Sequence, residues 1–414
     1  MSKILIHSIA FSPDGVSTAY LYNDIALKFK DSGYEVIVLT TSPHYNVIDS
    51  EVLKQPLSKK MFGLYLVSFF NGIKVYHIPQ KKYKSSVLRM LGFVYWHIMS
   101  LLIGLFQKNV SVILSPSPPL TIGLINLALG KLKCAKVIYN VQEIYPDLLI
   151  EEGGLKSKII ISFLKKIEKI VYNFSDAVTT IDKIFYNTIV DRFIDKSKLS
   201  IIPNFVDTEI YKPLVIGNEI DKNLFPETDS LKIMYAGNIG HAQDWDTLIE
   251  TARQLKHYKI DFFVIGEGVM KSELEKAISS YSLNNIHLIP YQSRDIIPML
   301  IAYSDLQFIF MSPHTEGHGF PSKVYTIMAC AKPLLVCSGS DTPIVNFLNE
   351  KKCSFIISEK EKNKKVSSLV DILKMAERNL LKEMGENGFK HIAENYSKEI
   401  VTEKYFKLVE YLIQ

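Results

Sequence analysis

The sequence predicts an α/β protein of two doubly wound, Rossmann-like domains. Three observations carry this. Short apolar runs alternate with helix-period segments, from residues 3–9 to residues 334–337. The pattern stops in a polar stretch over 217–230 and restarts after it. The chain has 414 residues, 47% hydrophobic and 22% charged, enough for two to three folded cores.

Residues 3–9 read as a buried first strand. The turn Pro13-Asp14-Gly15-Val16-Ser17-Thr18 leads into a helix over 19–30 that Gly33 ends, and 35–40 is the second strand. The first turn of this βαβ unit is aimed at the crevice at the strands' carboxyl ends, so Gly15, Ser17 and Thr18 are candidate ligand contacts. A GxGxxG fingerprint is missing, which removes the main support for an NAD reading. Residues 46–84 give one clear strand, 72–79, and end in the basic cluster Lys81, Lys82 and Lys84, followed by Arg89. Residues 87–106 are apolar over about a membrane-spanning length, yet carry Arg89, His97 and two glycines. A buried or interfacial helix is expected, its basic start meeting anionic headgroups. Strands over 110–114, 136–140, 177–181 and 198–202 alternate with a helix ending near Gly130 and a long one over 157–174. The turn after 136–140 sets Glu143, Tyr145 and Asp147 at a strand's carboxyl end, as ligand contacts or as surface turn chemistry.

The expected division is a first domain over 1–210, with an interfacial segment 81–106, and a second over 211–396. A last helix over 397–414 is free to pack back on the first domain. In the second domain, strands over 231–235, 261–265, 286–290 and 306–310 alternate with helices over 245–258, 271–281 and 295–302. Gly237 and Gly240 sit in the first tight turn, as phosphate contacts or as turn formers. Gly266-Glu267-Gly268 forms a second turn that cradles a base or merely reverses the chain. After strand 306–310 comes a loop with Glu316 and His318. Phe320-Pro321-Ser322-Lys323 then opens a helix over 324–331, and 334–337 is the next strand. Such a strand-to-helix loop is where open α/β sheets bind anions.

Net charge is +5, unevenly spread. Residues 1–205 hold 24 Lys and Arg against 15 Asp and Glu, and the remainder holds 24 against 28. The basic first half points to an anionic membrane surface or a phosphorylated lipid, or to lysines that only decorate solvated helices. With no basic stripe interleaved with aromatics, nucleic acid is not expected. Cys134, Cys330, Cys337 and Cys353 form no CxxC, so a reducing cytoplasm is expected rather than a zinc or disulfide scaffold. The apolar start is short and interrupted by His7, unlike a signal peptide.

The order of motifs resembles a retaining, sugar-nucleotide-dependent glycosyltransferase of the GT-B type, in glycosyltransferase family four. The resemblance covers essentially the whole chain. It rests on PDGVST at 13–18, EIYPD at 143–147, IPNFVD at 202–207, YAGNIG at 235–240, IGEGVMKSEL at 265–274 and PSKVYTIMACAKPLL at 321–335. The PSK-x-Y form is similar to the subgroup that builds O-antigen, capsule and colanic acid, including N-acetyl-fucosaminyl transferases. The resemblance implies two domains facing a central cleft. It implies a UDP-sugar donor on the second domain, near Gly237, Asn238, Gly240, Gly266, Glu267, Arg294, Phe320, Pro321, Ser322 and Tyr325. A lipid-diphosphate-linked acceptor is implied on the first, near Gly15, Ser17, Thr18, Glu143, Tyr145 and Asp147. Glu316, His318 and Lys323 are the implied catalytic group. Location on the inner face of the cytoplasmic membrane follows, and metal independence is expected because no Asp-x-Asp stands in a suitable loop.

The sequence departs from that family where charge matters. Its paired glutamates fall on His318 and Thr326, with Glu316 out of register, and its Arg and Lys fall on Asn238 and Gln243. Lys323 and Arg294 are then the cations left for a diphosphate. Two other readings stay open: a UDP-sugar 2-epimerase of similar architecture, and a nucleotide-binding scaffold without turnover.

Overall fold

A computed structural model describes the chain except residues 1, 48, 81–84, 152, 216–219 and 317–319, and the side chains at 49–51 and 86. The basic cluster Lys81, Lys82 and Lys84, and His318, lie outside the described residues. The chain forms two units, Met1–Asn204 with Lys398–Gln414, and Phe205–Ser397.

The first unit is built on a nine-stranded sheet: β1 (Lys3–His7), β2 (Glu35–Thr41), β3 (Ser58–Lys60), β4 (Tyr65–Phe70), β5 (Ile73–Ile78), β6 (Val110–Pro116), β7 (Lys136–Val141), β8 (Ala177–Thr180) and β9 (Leu199–Ile201). The order is β3-β4-β5-β2-β1-β6-β7-β8-β9, parallel except for the antiparallel β3-β4 and β4-β5 pairs. Its helices are α1 (Ser17–Asp31), α2 (Asp49–Lys54), α3 (Ser86–Phe106), α4 (Thr121–Lys133), α5 (Asp147–Glu151), α6 (Lys158–Phe174) and α7 (Lys183–Ile189). The central strands read as unbroken apolar runs because both faces are covered; Ile4, Leu5 and Ile6 are all buried. Strand order reverses between β1 and β6, which puts the loops after those strands at the topological switch point.

On one face α4 packs against both α3 and α6. The inward sides of these helices supply Trp96, Ile103, Ile122, Leu129, Ile167 and Val171 to one core. Their outward sides are also apolar. Val87, Leu91, Val94, Ile98 and Phe106 on α3, and Ile159, Phe163, Ile170 and Phe174 on α6, are exposed. Among the described residues α3 is the one helix long and apolar enough to cross a membrane by length and composition. The hairpin β3-β4 was not legible in the sequence, since β3 is three exposed polar residues.

The second unit has a six-stranded, all-parallel sheet: β10 (Leu231–Ala236), β11 (Ile260–Ile265), β12 (Ile286–Ile289), β13 (Leu306–Phe310), β14 (Leu334–Cys337) and β15 (Ser354–Ile357). The order is β12-β11-β10-β13-β14-β15, with the switch point between β10 and β13. Helices α8 (Trp245–Gln254), α9 (Lys271–Tyr281), α10 (Ile297–Tyr303), α11 (Lys323–Ala329), α12 (Pro343–Leu348), α13 (Lys362–Met375) and α14 (Arg378–Asn395) connect and cover it. Helix α8 stops at Gln254, short of the expected 258, because the chain turns back at Leu255–Tyr258, where Tyr258 N–H donates to the Leu255 carbonyl.

The units divide at Asn204/Phe205 rather than at 210. Val206 donates its N–H to the Tyr396 carbonyl and bridges Ser397, and Val206 and Tyr211 are buried in the second unit's core. The last helix, α15 (Lys398–Ile413), belongs to the first unit and lies against α1. Lys28 and Glu403 pair at 2.7 Å, and Tyr405 is buried.

Candidate functional site

The strongest convergence of sequence-predicted residues lies at the carboxyl end of β10, at the switch point of the second unit. β10 ends at Ala236, and Gly237 follows with φ 154°. Gly237 N–H donates to the Ile265 carbonyl, and Gly266, with φ 144°, donates to the Ile289 carbonyl. The two glycines carry the ladder one step past the strands. They touch back to back: a Cβ on Gly266 would collide with the Gly237 carbonyl. Ile239 N–H donates to the Glu267 carbonyl at 2.9 Å, tying the two turns together.

These bonds change which amides are available. The N–H groups of Gly237 and Gly266 are committed to the sheet. The Asn238 and Gly240 amides have no protein acceptor among the described residues. Asn238 is exposed, while Gly240 is buried and its carbonyl accepts from Trp245 Nε1.

Lys323 comes from the other side of the switch point, at the start of the seven-residue α11. Its ammonium donates to the Ala236 carbonyl at 3.2 Å and sits 3.7 Å above the Tyr235 ring. A Cβ on Gly237 would lie 2.6 Å from Nζ, so the missing side chain leaves room for the lysine. Among the described residues no carboxylate pairs with it. Burial alone lowers its pKa from the ordinary 10.5 to about 7. A half-buried ammonium held by a carbonyl and a ring face, without a counter-anion, is suited to receive one. Sequence reading named Lys323 and Gly237 but not Tyr235, whose hydroxyl donates to the Asn238 carbonyl at 2.7 Å. The Tyr standing directly before the Ala-Gly turn was the available signal.

Glu316 is placed elsewhere. Its Oε2 accepts from Gly339 N–H at 2.7 Å, tethering the loop after β13 to the loop after β14. The loops after β10 and β13 are joined as well: Ser312 N–H donates to the Ala242 carbonyl, and Gln243 bridges Met311. Glu267 is exposed, and the hydrogen bond from Lys271 at 2.7 Å lowers its pKa. Arg294 is exposed beyond the end of β12. Pro321 and Ser322 precede α11, Ser322 is exposed, and Tyr325 is buried in a ring cluster with Phe320, Phe347 and Tyr396.

In the first unit, Gly15 N–H donates to the Tyr45 carbonyl, and Ser17 and Thr18 open α1. Glu143 is half-buried, its N–H held by Ser117 Oγ at 3.1 Å, and Tyr145 is half-buried beside it. Asp147 is engaged by Lys165 and Arg192, which also contact the buried Glu168. Burial opposes its charge, but the hydrogen bonds from Lys165 and Arg192 prevail and hold its pKa below the ordinary value. This network fixes α5 against α6, so Asp147 is occupied within the fold. Among the described residues no cluster of His, Cys, Asp or Glu could hold a metal ion.

Residues 217–391 match the family model described as Glycosyl transferases group 1. That match lies within the second unit and spans most of it. The chain is 23% identical over 342 residues to the putative colanic acid biosynthesis glycosyl transferase WcaI of Escherichia coli, covering 79% of this chain and 81% of that protein. It is 23% identical over 252 residues to the probable glycosyltransferase WbjE of Pseudomonas aeruginosa, over 59% of this chain and 61% of that one. Among solved structures, sucrose-phosphate synthase from Thermosynechococcus elongatus superposes with a TM-score of 0.73 at 12% identity, covering 100% of this chain and 99% of that chain. Anabaena HepE in complex with UDP gives 0.71 at 12%, over 99% of each chain. These structural neighbours are GT-B glycosyltransferases, and at such identities they show the fold alone.

Proposed function

We propose that the chain is a retaining, UDP-sugar-dependent glycosyltransferase acting in O-antigen, capsule or colanic-acid-type polysaccharide synthesis. It moves a hexosyl or hexosaminyl unit, N-acetyl-fucosamine being one candidate, to a lipid-diphosphate-linked glycan. The observation that carries this reading is Lys323, an ammonium with no carboxylate partner among the described residues, packed against the Gly237 turn of the unit that matches the group 1 glycosyl transferase model.

The chemistry follows from charge. A nucleoside diphosphate leaves readily only where its developing negative charge is met by preorganised donors. Lys323 supplies a cation there, and the Asn238 amide is a backbone donor at the same turn. A lysine with a pKa near 7 takes up a proton as the diphosphate binds, which strengthens the pair. This substitutes for the Arg and Lys that the sequence lacks at Asn238 and Gln243. With the diphosphate neutralised by an ammonium, no metal ion is required, and metal independence is part of the proposal. UDP in complex with HepE and the polysaccharide and lipopolysaccharide names of the relatives support the choice of donor and product class. The apolar outer faces of α3 and α6 support an acceptor delivered from the cytoplasmic membrane's inner face, with the chain peripheral to it.

The test is turnover of UDP-sugars in EDTA, read as UDP release, with the anomeric proton of the released or transferred sugar followed by NMR. Release from at least one UDP-sugar with the donor's anomeric configuration kept is expected. Inversion removes the retaining part of the proposal, and failure to release UDP from any sugar removes the enzyme reading.

A further inference from the structure

Tyr235 is the last residue but one of β10. Strand alternation turns its side chain into the core that Ile233, Trp245 and Phe308 share, while Met234 points into the core on the other face. The residue is 3% exposed. Trp245 meets its ring edge-on at 5.3 Å between centroids and Phe308 packs at 5.5 Å, so two neighbouring rings fix its plane. A tyrosine buried this deeply needs an acceptor for its hydroxyl, and it finds the Asn238 carbonyl at 2.7 Å. Burial raises the Tyr235 pKa, so the phenol keeps its proton, stays a donor and offers a neighbouring cation no negative charge.

One side chain thus touches both candidate anion-binding groups. The Lys323 ammonium lies over its ring, 3.7 Å from the centroid. Attraction to the ring favours the charged lysine, against the burial that lowers its pKa. At the tip of the side chain, the hydroxyl holds the Asn238 carbonyl. The other end of that peptide, Ile239 N–H, donates to the Glu267 carbonyl. The peptide is therefore held at both ends, directly after the Asn238 amide. A Cβ on Gly237 would lie 2.6 Å from Lys323 Nζ and 3.4 Å from the Tyr235 hydroxyl, so a glycine there lets the cation and the phenol stand this close. Trp245 supports the same turn two residues further on, its Nε1 donating to the Gly240 carbonyl at 2.9 Å.

We propose that Tyr235 is a positioning residue for the diphosphate: its ring seats the Lys323 ammonium and its hydroxyl sets the Asn238 turn, so that cation and backbone donor meet one anion together. Neither contact reaches the ligand itself; the tyrosine acts through the lysine and through the turn. The inference deepens the transferase reading and rests on it for the identity of the anion.

Two variants of the whole chain separate the two contacts. Tyr235→Phe keeps the ring and removes the hydroxyl; Tyr235→Leu removes both. The titration of Lys323 without ligand is followed by its reactivity with acetic anhydride against pH, read by mass spectrometry, and UDP affinity is read by calorimetry in EDTA. Lys323 is expected to titrate at the wild-type pH in Tyr235→Phe and about 0.4 to 1.5 pH units lower in Tyr235→Leu. UDP affinity is expected to fall about 2- to 10-fold in Tyr235→Phe and by a further factor of about 2 to 30 in Tyr235→Leu. A merely structural tyrosine would lower the melting temperature of the variants and leave the Lys323 titration where it is. Lys323 titrating at the same or a higher pH in Tyr235→Leu, or UDP bound by that variant as by wild type, overturns the positioning role. A titration that moves as expected in a chain whose wild type binds no UDP overturns the transferase reading instead, and leaves the tyrosine's hold on the lysine standing.

Discussion

Replacing Lys323 by Met is expected to stabilise the ligand-free protein and to abolish most of its response to UDP. The two effects have one cause. Holding the ammonium where its pKa falls from 10.5 to about 7 corresponds to about 5 kcal/mol against the charged form. Water that still reaches this half-buried side chain lowers that to on the order of 3 kcal/mol. Met fills the same space without a charge, but the Ala236 carbonyl loses its donor, costing about 1 kcal/mol. The net gain of about 2 kcal/mol raises the melting temperature of the second unit by roughly 4–8 °C. The gain depends on pH with a definite sign. Below about pH 7 both folded and unfolded chains carry the proton, and the wild type bears the full penalty. As pH rises toward 10.5 the unfolded chain still binds a proton that the folded chain has released, so wild type gains stability and the gap to Lys323→Met closes. UDP affinity moves the other way. Losing a charge-assisted contact of roughly 1.5–3 kcal/mol weakens UDP by about 10- to 150-fold. Differential scanning calorimetry with and without UDP reads both. A Lys323→Met protein that melts lower than wild type near neutral pH, or that keeps the UDP shift, refutes the assignment of Lys323 as the anion-binding group.

Two further outcomes follow from the geometry. Gly266→Ala drives a Cβ into the Gly237 carbonyl at φ 144° and is expected to destabilise the second unit by roughly 2–3 kcal/mol in urea titrations; a loss within error of zero contradicts the back-to-back packing of the two turns. Leu91→Glu with Phe163→Glu places charge on the outward faces of α3 and α6 and is expected to remove co-sedimentation with phosphatidylglycerol vesicles at unchanged melting temperature; undiminished sedimentation means that these faces do not meet the bilayer.

The elements of both sheets were legible in the sequence wherever strands are buried on both faces. Residues 231–236, 306–310 and 334–337 are mostly apolar runs, interrupted only by Lys232 and Gln307, and the structure has strands there. The hairpin Ser58–Lys60 with Tyr65–Phe70 was not legible, because its edge strand Ser58–Lys60 is short, exposed and without an apolar residue. In the site, Gly237 and Lys323 were legible by residue type, and their meeting was not. Eighty-odd positions of chain separate them, and only the switch point between β10 and β13 brings Nζ to the Ala236 carbonyl. Glu316 reads as a catalytic carboxylate in the loop, yet its partner is the Gly339 amide, a pairing that depends on a strand order no local pattern encodes.

Calorimetric titration of UDP into the 414-residue chain, in EDTA and in two buffers of different ionisation enthalpy, tests the central claim most directly. The account predicts binding at one site without metal, with uptake of a proton by Lys323 at about pH 8 that vanishes in Lys323→Met. No heat with UDP, or binding that appears only when a divalent cation is added, would contradict it.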